Sequence, residues 1–445
     1  MRKYSRYFIF AFLIFGILLT SGCSQSAKES LEENSENQGE KSTASSGEVI
    51  EIEYWYGLGS IAGQTMEEFI EDFNNSQDKV HVTGVQQASY DETFQKVQAA
   101  IAANKPPAVF IADKDMQEMA RREITAPLDD LMDERTPKDD YLDVFIEPAE
   151  INDKVYAIPA FGTTQVIYYR KDLLEKAEID PEEMYASWEN IFKYSKEIQE
   201  KEIAPYGHLI MWGPDNLVDI ARSNGGQILS DDGTKVTINT PEWVDSWEFV
   251  RKQVFEDKTT KMESGGQGWE YWYRTIDNVL NGTAVSYTGS SGDKGDLDFD
   301  ILDSAVQPGY GGNPGKPAAS ALYFTIPASA SEEQQKAAFE WIAYFTSPEN
   351  SAKWAEKIGY IPVRKSSMEV DSYKAYVEEH PYAVIPYQQA LTALPNFDDI
   401  TNGKIYDEIR KAADKVELEN IPAKEALDAA QEQGQKALDE YLKSQ

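Results

Sequence analysis

Aromatic rings and carboxylates are the side chains of this sequence best placed to do chemistry. Trp212 precedes Gly213-Pro214 and so sits in a loop, where an aromatic residue more often meets a ligand than a core. Trp269 and Trp272 lie three apart at a helix start, a spacing that turns one of them inward. Trp55 ends a strand beside Tyr56 and Gly57, which are equally placed for a ligand. Asp113 and Asp115 follow an apolar strand, and Asp398-Asp399 form a second acidic pair. A flat ring covers the C–H face of a sugar, and carboxylates accept charge-assisted bonds from its hydroxyls. Rings and acids are the side chains that a carbohydrate site would need. The bland readings are core for each tryptophan and a helix cap or solvated loop for each aspartate.

Other chemistries find less support. His81, His208 and His380 lie far apart with no ligand spacing, so neither a metal nor any other cofactor is expected. Asp231-Asp232-Gly233 reads as a turn, since no glutamate follows at calcium-loop spacing. Ser290-Ser291-Gly292, with Gly289 and Gly295, lacks the Lys-Ser/Thr ending of a phosphate-binding loop. A secreted glycoside hydrolase would need two carboxylates about 5–9.5 Å apart, one with a raised pKa. Acids are abundant enough for such a pair, but nothing in the sequence shows the shift. A lipid-anchored adhesin or sensor is a third class.

The formal net charge is −35, from 77 acidic and 42 basic residues, with no basic stripe for nucleic acid. Arg2, Lys3 and Arg6 precede an apolar run from Tyr7 to Leu19 and then Thr20-Ser21-Gly22-Cys23, the only cysteine. This is an export signal (residues 1–22) too short to span a membrane. A cysteine at that place reads as the lipid-acceptor residue of a bacterial lipoprotein, although Thr20 stands where an aliphatic residue is usual. The expected mature chain is a monomer tethered by Cys23 to the outer face of the cell membrane. Residues 23–47 lack aromatics and read as a flexible linker.

About 400 residues remain, enough for two lobes. Val49 to Tyr56 and Val80 to Val85 read as strands; Met66, Phe69, Ile70 and Phe73 recur at helical spacing, as do Phe94, Val97 and Ile101. Pro106-Pro107 then precedes the strand Ala108 to Ala112. The alternation predicts an α/β fold with ligands at the carboxyl ends of strands. A second lobe begins after Ala157-Ile158-Pro159, with a strand from Val166 to Tyr169; Ala338, Trp341, Ile342 and Phe345 mark a later helix, and Pro422 to Tyr441 a final one.

Ile52-Glu53-Tyr54-Trp55-Tyr56-Gly57, Ala88-Ser89-Tyr90-Asp91-Glu92-Thr93-Phe94, Ala103-Asn104-Lys105-Pro106-Pro107, Val155-Tyr156-Ala157-Ile158-Pro159 and Gly359-Tyr360-Ile361-Pro362 follow one another in a familiar order. The chain resembles the extracellular solute-binding proteins of ABC sugar importers over nearly its whole mature length. The resemblance implies an α/β, two-lobed periplasmic-binding-protein-like fold with a multi-strand hinge and a ligand cleft between lobes. Lobe 1 would hold 48–160 and about 303–350, lobe 2 161–302 and about 351–445. It implies no enzyme activity, a sugar ligand, and the permease subunits of an importer as partner. Tyr90 and Tyr360 match positions the family uses, and Thr163, Thr164, Ser290 and Ser291 become loop hydroxyls for the ligand. The subgroup that binds glycerol phosphate and its diesters is the closest in look, through Asn281-Gly282-Thr283-Ala284-Val285 and the Tyr360 block. Where that subgroup has an acidic contact, this chain has Asp113-Lys114-Asp115; where it has a phosphate-binding arginine, this chain has Asn396-Phe397-Asp398-Asp399. A buried acidic pair repels phosphate, so a neutral sugar is expected. The expected ligand set is Tyr56, Tyr90, Asp113, Thr163, Thr164, Trp212, Trp272, Ser290, Ser291, Tyr360, Asp398 and Asp399.

Overall fold

The computed structural model describes residues 49–113 and 115–444. The export signal, Cys23 and the linker lie outside the described residues. Strand β1 (Ile50–Tyr56), helix α1 (Ser60–Ser76), strand β2 (Val80–Gln86), helix α2 (Tyr90–Ala102) and strand β3 (Val109–Ala112) follow the expected alternation. β1 pairs in parallel with β2 and β3. The apolar stripe of α1 holds because Met66, Phe69, Ile70 and Phe73 all face inward. α2 starts where the Ser89 hydroxyl accepts from the Glu92 N–H, with Asp91 and Glu92 favouring the positive end of the helix dipole. The short helix α3 (Met116–Arg121) follows β3.

Strand β4 (Ile158–Arg170) then runs through both halves of the protein. Beyond it come α4 (Trp188–Glu200), β5 (Tyr206–Leu209), α5 (Pro214–Ser223), α6 (Pro241–Phe255), α7 (Glu270–Leu280), β6 (Ala284–Ser290) and β7 (Leu302–Ala305). The chain returns through β8 (Ala318–Thr325), α8 (Glu332–Phe345) and α9 (Pro348–Ile358), then α10 (Ile385–Ala390) and β9 (Leu394–Pro395). It ends in α11 (Lys404–Glu417) and α12 (Ala423–Ser444). Among the described residues the main sheet runs β2-β1-β3-β8-β4-β6-β5, with β9 on β8 and β7 on β4. No helix among them is long and apolar enough to cross a membrane.

The apolar side chains gather on either side of the crossing. The first core packs Tyr54, Phe69, Phe110, Phe145, Phe324, Trp341, Phe345 and Trp354. The second packs Trp188, Trp243, Trp247, Ile405 and Leu427, and a smaller one fills the space under α7 with Val166, Tyr168 and Tyr287. Trp354, Ile358, Ile361 and Val363 belong with the first core, while Leu302 lies with Val166 and Tyr287. Trp354, on α9, packs edge-on against Phe69, 5.7 Å between ring centres. Thr163 and Thr164 also differ from expectation, lying inside β4 rather than in a loop.

Along β4, Ile158 to Thr164 pair with β8, whereas Gln165 to Tyr169 pair with β6. A buried polar network locks this changeover. The Gln389 side-chain amide on α10 donates to Thr164 Oγ1 at 2.6 Å and to the Gln165 carbonyl. Its own oxygen accepts from the Gln307 N–H at 2.7 Å. The Gln307 side chain donates to the Gln165 carbonyl and to Asp219, both at 2.8 Å. Asp219, on α5, also accepts from the Ala318 N–H at 2.8 Å. One turn on, Arg222 donates to the Pro395 carbonyl. All three passages of the chain between the halves are thus tied to α5 or α10. Each of these groups is one whose partner, if lost, leaves a buried polar atom costing about 1–3 kcal/mol.

Burial pushes the Asp219 carboxyl from 3.8 up to about 7, against the lowering effect of Gln307, Ala318 and Arg222. An acid raised in this way keeps its proton in the native state while the unfolded chain releases it. Its contribution to stability is present below the unfolded value and is lost as pH rises through the folded one. Denaturant unfolding should therefore show the wild type losing stability relative to Asp219→Asn between about pH 4 and 7, by on the order of 2–4 kcal/mol. His208, buried between Ser286 and Thr288 and pushed down to about 3, is common to both proteins and cancels. A difference that stays constant across that window would contradict the prediction.

Candidate functional site

The carboxyl ends of β1 and β3, the start of α2 and the turn after α9 meet beside the changeover in β4. Tyr90 and Tyr360 share a side-chain hydrogen bond, and burial raises both phenols, Tyr360 to about 12. Both are neutral donors at any physiological pH. The charge of Asp113 at the end of β3 acts on both, and on Tyr323. Tyr360 also packs on Phe161, 4.8 Å between ring centres. From the other half, Thr163 Oγ1 lies 3.4 Å from Ser290 Oγ and 3.5 Å from Ser291 Oγ. A Cβ on Gly292 would stand 2.9 Å from the Tyr360 ring, and one on Gly359, at φ +95°, would meet Lys294 and the Ser291 carbonyl. Those two glycines let the turns of the two halves touch. Tyr90 and Tyr360 beside Asp113, and Thr163 beside Ser290 and Ser291, are two groups of hydroxyls brought together where the turns of the two halves touch.

A wall of rings continues from it in the second half, at the carboxyl ends of β5 and β6. Trp272 donates its indole N–H to Asp293 at 2.9 Å, and Tyr287 donates its hydroxyl to the other oxygen at 3.0 Å. Burial pushes the Asp293 carboxyl up to about 7, opposed by those two donors. Trp212 donates its N–H to Asp414 at 2.8 Å and stands edge-on to Tyr271, 4.9 Å away at 82°. Tyr271 in turn neighbours Trp269 and Trp272, each at 6.3 Å. Trp269 is the most exposed large apolar side chain of the described residues, at 62%.

Several expected ligand residues have other work. Tyr56 is 1% exposed and stacks on Tyr54 in the first core. Its side chain points into the pleat because inward and outward positions alternate along β1. Thr164 is spent on the changeover, donating to the Ala318 carbonyl and accepting from Gln389. Asp398 is bound by Arg121 in a two-pronged ion pair of 2.6 and 3.0 Å. Asp399 shapes its own turn, accepting from the N–H groups of Thr401 and Tyr406. The buried acidic pair expected to repel phosphate is therefore one neutralised carboxylate and one turn former. Asp293, Asp414 and Arg121 leave no local signal in the sequence, because Trp272, Trp212 and Asp398 lie 21, 202 and 277 residues from them; Tyr271 was missed although Trp269 and Trp272 flank it. Asp232 is a turn residue as expected, accepting from Ser230 and Thr234. Among the described residues no group of three metal-ligating side chains occurs.

A profile described as bacterial extracellular solute-binding protein matches residues 68–381. The chain belongs to that family. This solute-binding protein is 24% identical over 366 residues to the sn-glycerol-3-phosphate-binding periplasmic protein UgpB of Brucella abortus, covering 78% of this chain and 82% of that one. Among solved structures it superposes on the acarbose-binding GacH receptor of Streptomyces glaucescens with a TM-score of 0.77, at 19% identity over 88% and 99% of the two chains. With UgpB from Mycobacterium tuberculosis, solved in complex with glycerophosphocholine, the TM-score is 0.76 at 22% identity over 89% and 100%. At such identities the superpositions establish the two-lobed fold of this class.

Because Asp399 caps its own turn, Asp399→Ala should lower stability by about 1–2 kcal/mol while changing ligand affinity less than about twofold. Chemical denaturation and calorimetry measure the two. A large affinity loss with unchanged stability would return Asp399 to the ligand set.

Proposed function

We propose that this protein is the lipid-anchored binding component of an ABC importer and holds an uncharged carbohydrate between its lobes for delivery to the membrane permease. The observation that carries the reading is the pairing of a hydroxyl cluster (Tyr90, Thr163, Ser290, Ser291, Tyr360) with the ring wall of Trp212, Tyr271, Trp269 and Trp272. Donors and acceptors around a flat apolar surface match the amphipathic face and rim of a sugar. Two cations on elements that border this region are already engaged. Arg121 holds Asp398, and Lys294 donates to the Glu356 carbonyl and lies 4.8 Å over the Tyr376 ring. Ligand enters against one lobe, contacts from the other favour the closed state, and closure excludes water from the hydroxyl bonds. No carboxylate pair needs to act as acid and base in this reading.

A glycerol phosphate or its diester is the second reading, favoured by the name of the Brucella abortus relative and by the ligand of the Mycobacterium tuberculosis structure. The loss of the acidic-pair objection strengthens it, while the engaged state of Arg121 weighs against it. A thermal-shift screen of mono- and oligosaccharides beside sn-glycerol 3-phosphate and glycerophosphocholine, followed by calorimetry, separates the two. A true ligand at about a hundred times its Kd adds about 2.7 kcal/mol to stability. Saccharide hits without turnover support the reading; stabilisation by the phosphate compounds alone, or cleavage of a saccharide, overturns it. The anchor has its own test, since Cys23→Ser should move the protein from the membrane fraction to the medium. Unchanged membrane association would remove the lipid from the proposal.

A further inference from the structure

We infer that Asp414 and Asp293 are positioning residues for the ring wall, holding Trp212 and Trp272 by their indole N–H groups so that each ring offers only its faces to the ligand. The inference rests on the carbohydrate reading of this site. An indole has a single hydrogen-bond donor and no acceptor. In both rings that donor is committed to a carboxylate, at 2.8 Å for Trp212 and 2.9 Å for Trp272. What remains for a ligand is the π face.

The two holders are built into the fold. Asp414 sits on α11, and one turn later the Glu417 carboxylate accepts from the backbone N–H of Gly213 at 3.1 Å. Near the start of the same helix the Tyr406 hydroxyl donates to Asp215. The turn from Trp212 to Asp215 is thus fastened at its ring, its backbone and its first helical residues by one face of one helix. Gly213, at φ +114°, supplies the backbone conformation this fastening requires. Asp293 is held in its turn by the Tyr287 hydroxyl, and Gly289 leaves room for it, since a Cβ there would stand 2.5 Å from its oxygen. Tyr271 packs edge-on between the two rings, at 82° to Trp212 and 76° to Trp272. The wall is a rigid corner.

This division of labour has a chemical consequence. An acceptor oxygen at the N–H edge occupies the positive rim of the indole, and the negative faces are left to attract the slightly positive C–H face of a sugar. Hydrogen bonds to ligand hydroxyls fall to Tyr90, Thr163, Ser290, Ser291 and Tyr360. Selection at the wall follows the shape of the C–H face, and selection at the cluster follows the hydroxyl pattern.

The test uses the full-length protein labelled with 5-fluorotryptophan, in four forms besides wild type: Asp414→Ala, Asp414→Asn, Trp212→Phe, and Trp212→Phe with Asp414→Ala. In the ligand-free state the Trp212 fluorine resonance should be single and sharp in wild type and Asp414→Asn, whose amide oxygen still accepts the N–H. It should broaden or split in Asp414→Ala. Affinity for maltotriose, or for the tightest saccharide of the screen, should fall about tenfold in Asp414→Ala and recover to within about threefold in Asp414→Asn. In the Trp212→Phe background the same alanine should change affinity less than about twofold, because phenylalanine has no N–H to hold. A sharp, unshifted resonance in Asp414→Ala overturns the proposal, as does a tenfold loss that persists in the phenylalanine background. If no saccharide binds, the carbohydrate reading falls, and the fluorine spectrum alone still decides whether Asp414 fixes the ring.

Discussion

Between Thr164 and Gln165 a single strand exchanges its partner in one lobe for a partner in the other, and every functional feature is referred to that step. Thr163 presents its hydroxyl one residue before it, opposite Ser290 and Ser291. The carbonyl of Gln165 would be stranded by the change of partner. It receives instead the side chains of Gln307 and Gln389, one from each of two further segments that lie across the junction. A bare change of partners would splay the sheet. The amides close it with groups that are short, neutral and able to donate and accept together. Such a joint is stiff in its hydrogen bonds and free in the few torsions of the segments that carry them, which is what a hinge requires.

The charge distribution follows the same economy. The formal net charge of the whole sequence is −35. Three of its acids have clear donors: buried Asp219 takes Ala318 and Gln307, buried Asp293 takes Trp272 and Tyr287, and the partly exposed Asp398 takes Arg121. Carboxylates in this protein hold other groups in place. That is a different use from the direct contact with a sugar hydroxyl that Asp398 and Asp399 suggest in the bare sequence. In the proposed function, hydroxyl recognition falls to phenols and alcohols.

Local signals were legible in the sequence and long-range ones were not. The stripes Met66, Phe69, Ile70, Phe73 and Phe94, Val97, Ile101 gave α1 and α2 because periodicity is written within a few residues. The family pattern carried Tyr90 and Tyr360 to one place from 270 positions apart, which no periodicity could do. That Trp354 packs in the first core was not legible, because an amphipathic helix states that it has an inner face without stating which core that face meets. The burial of Tyr56 was not legible, because strand alternation fixes one side per residue only once the covered side is known. Arg121 and Asp398 pair across a separation that leaves no mark in either neighbourhood.

Small-angle X-ray scattering of the protein, free and saturated with a stabilising saccharide, tests the hinge and the cleft together. Lobes that close about the strand at Thr164–Gln165 give a smaller radius of gyration and a shortened distance distribution in the saturated form. Identical scattering curves at full occupancy would contradict a binding protein that works by closing.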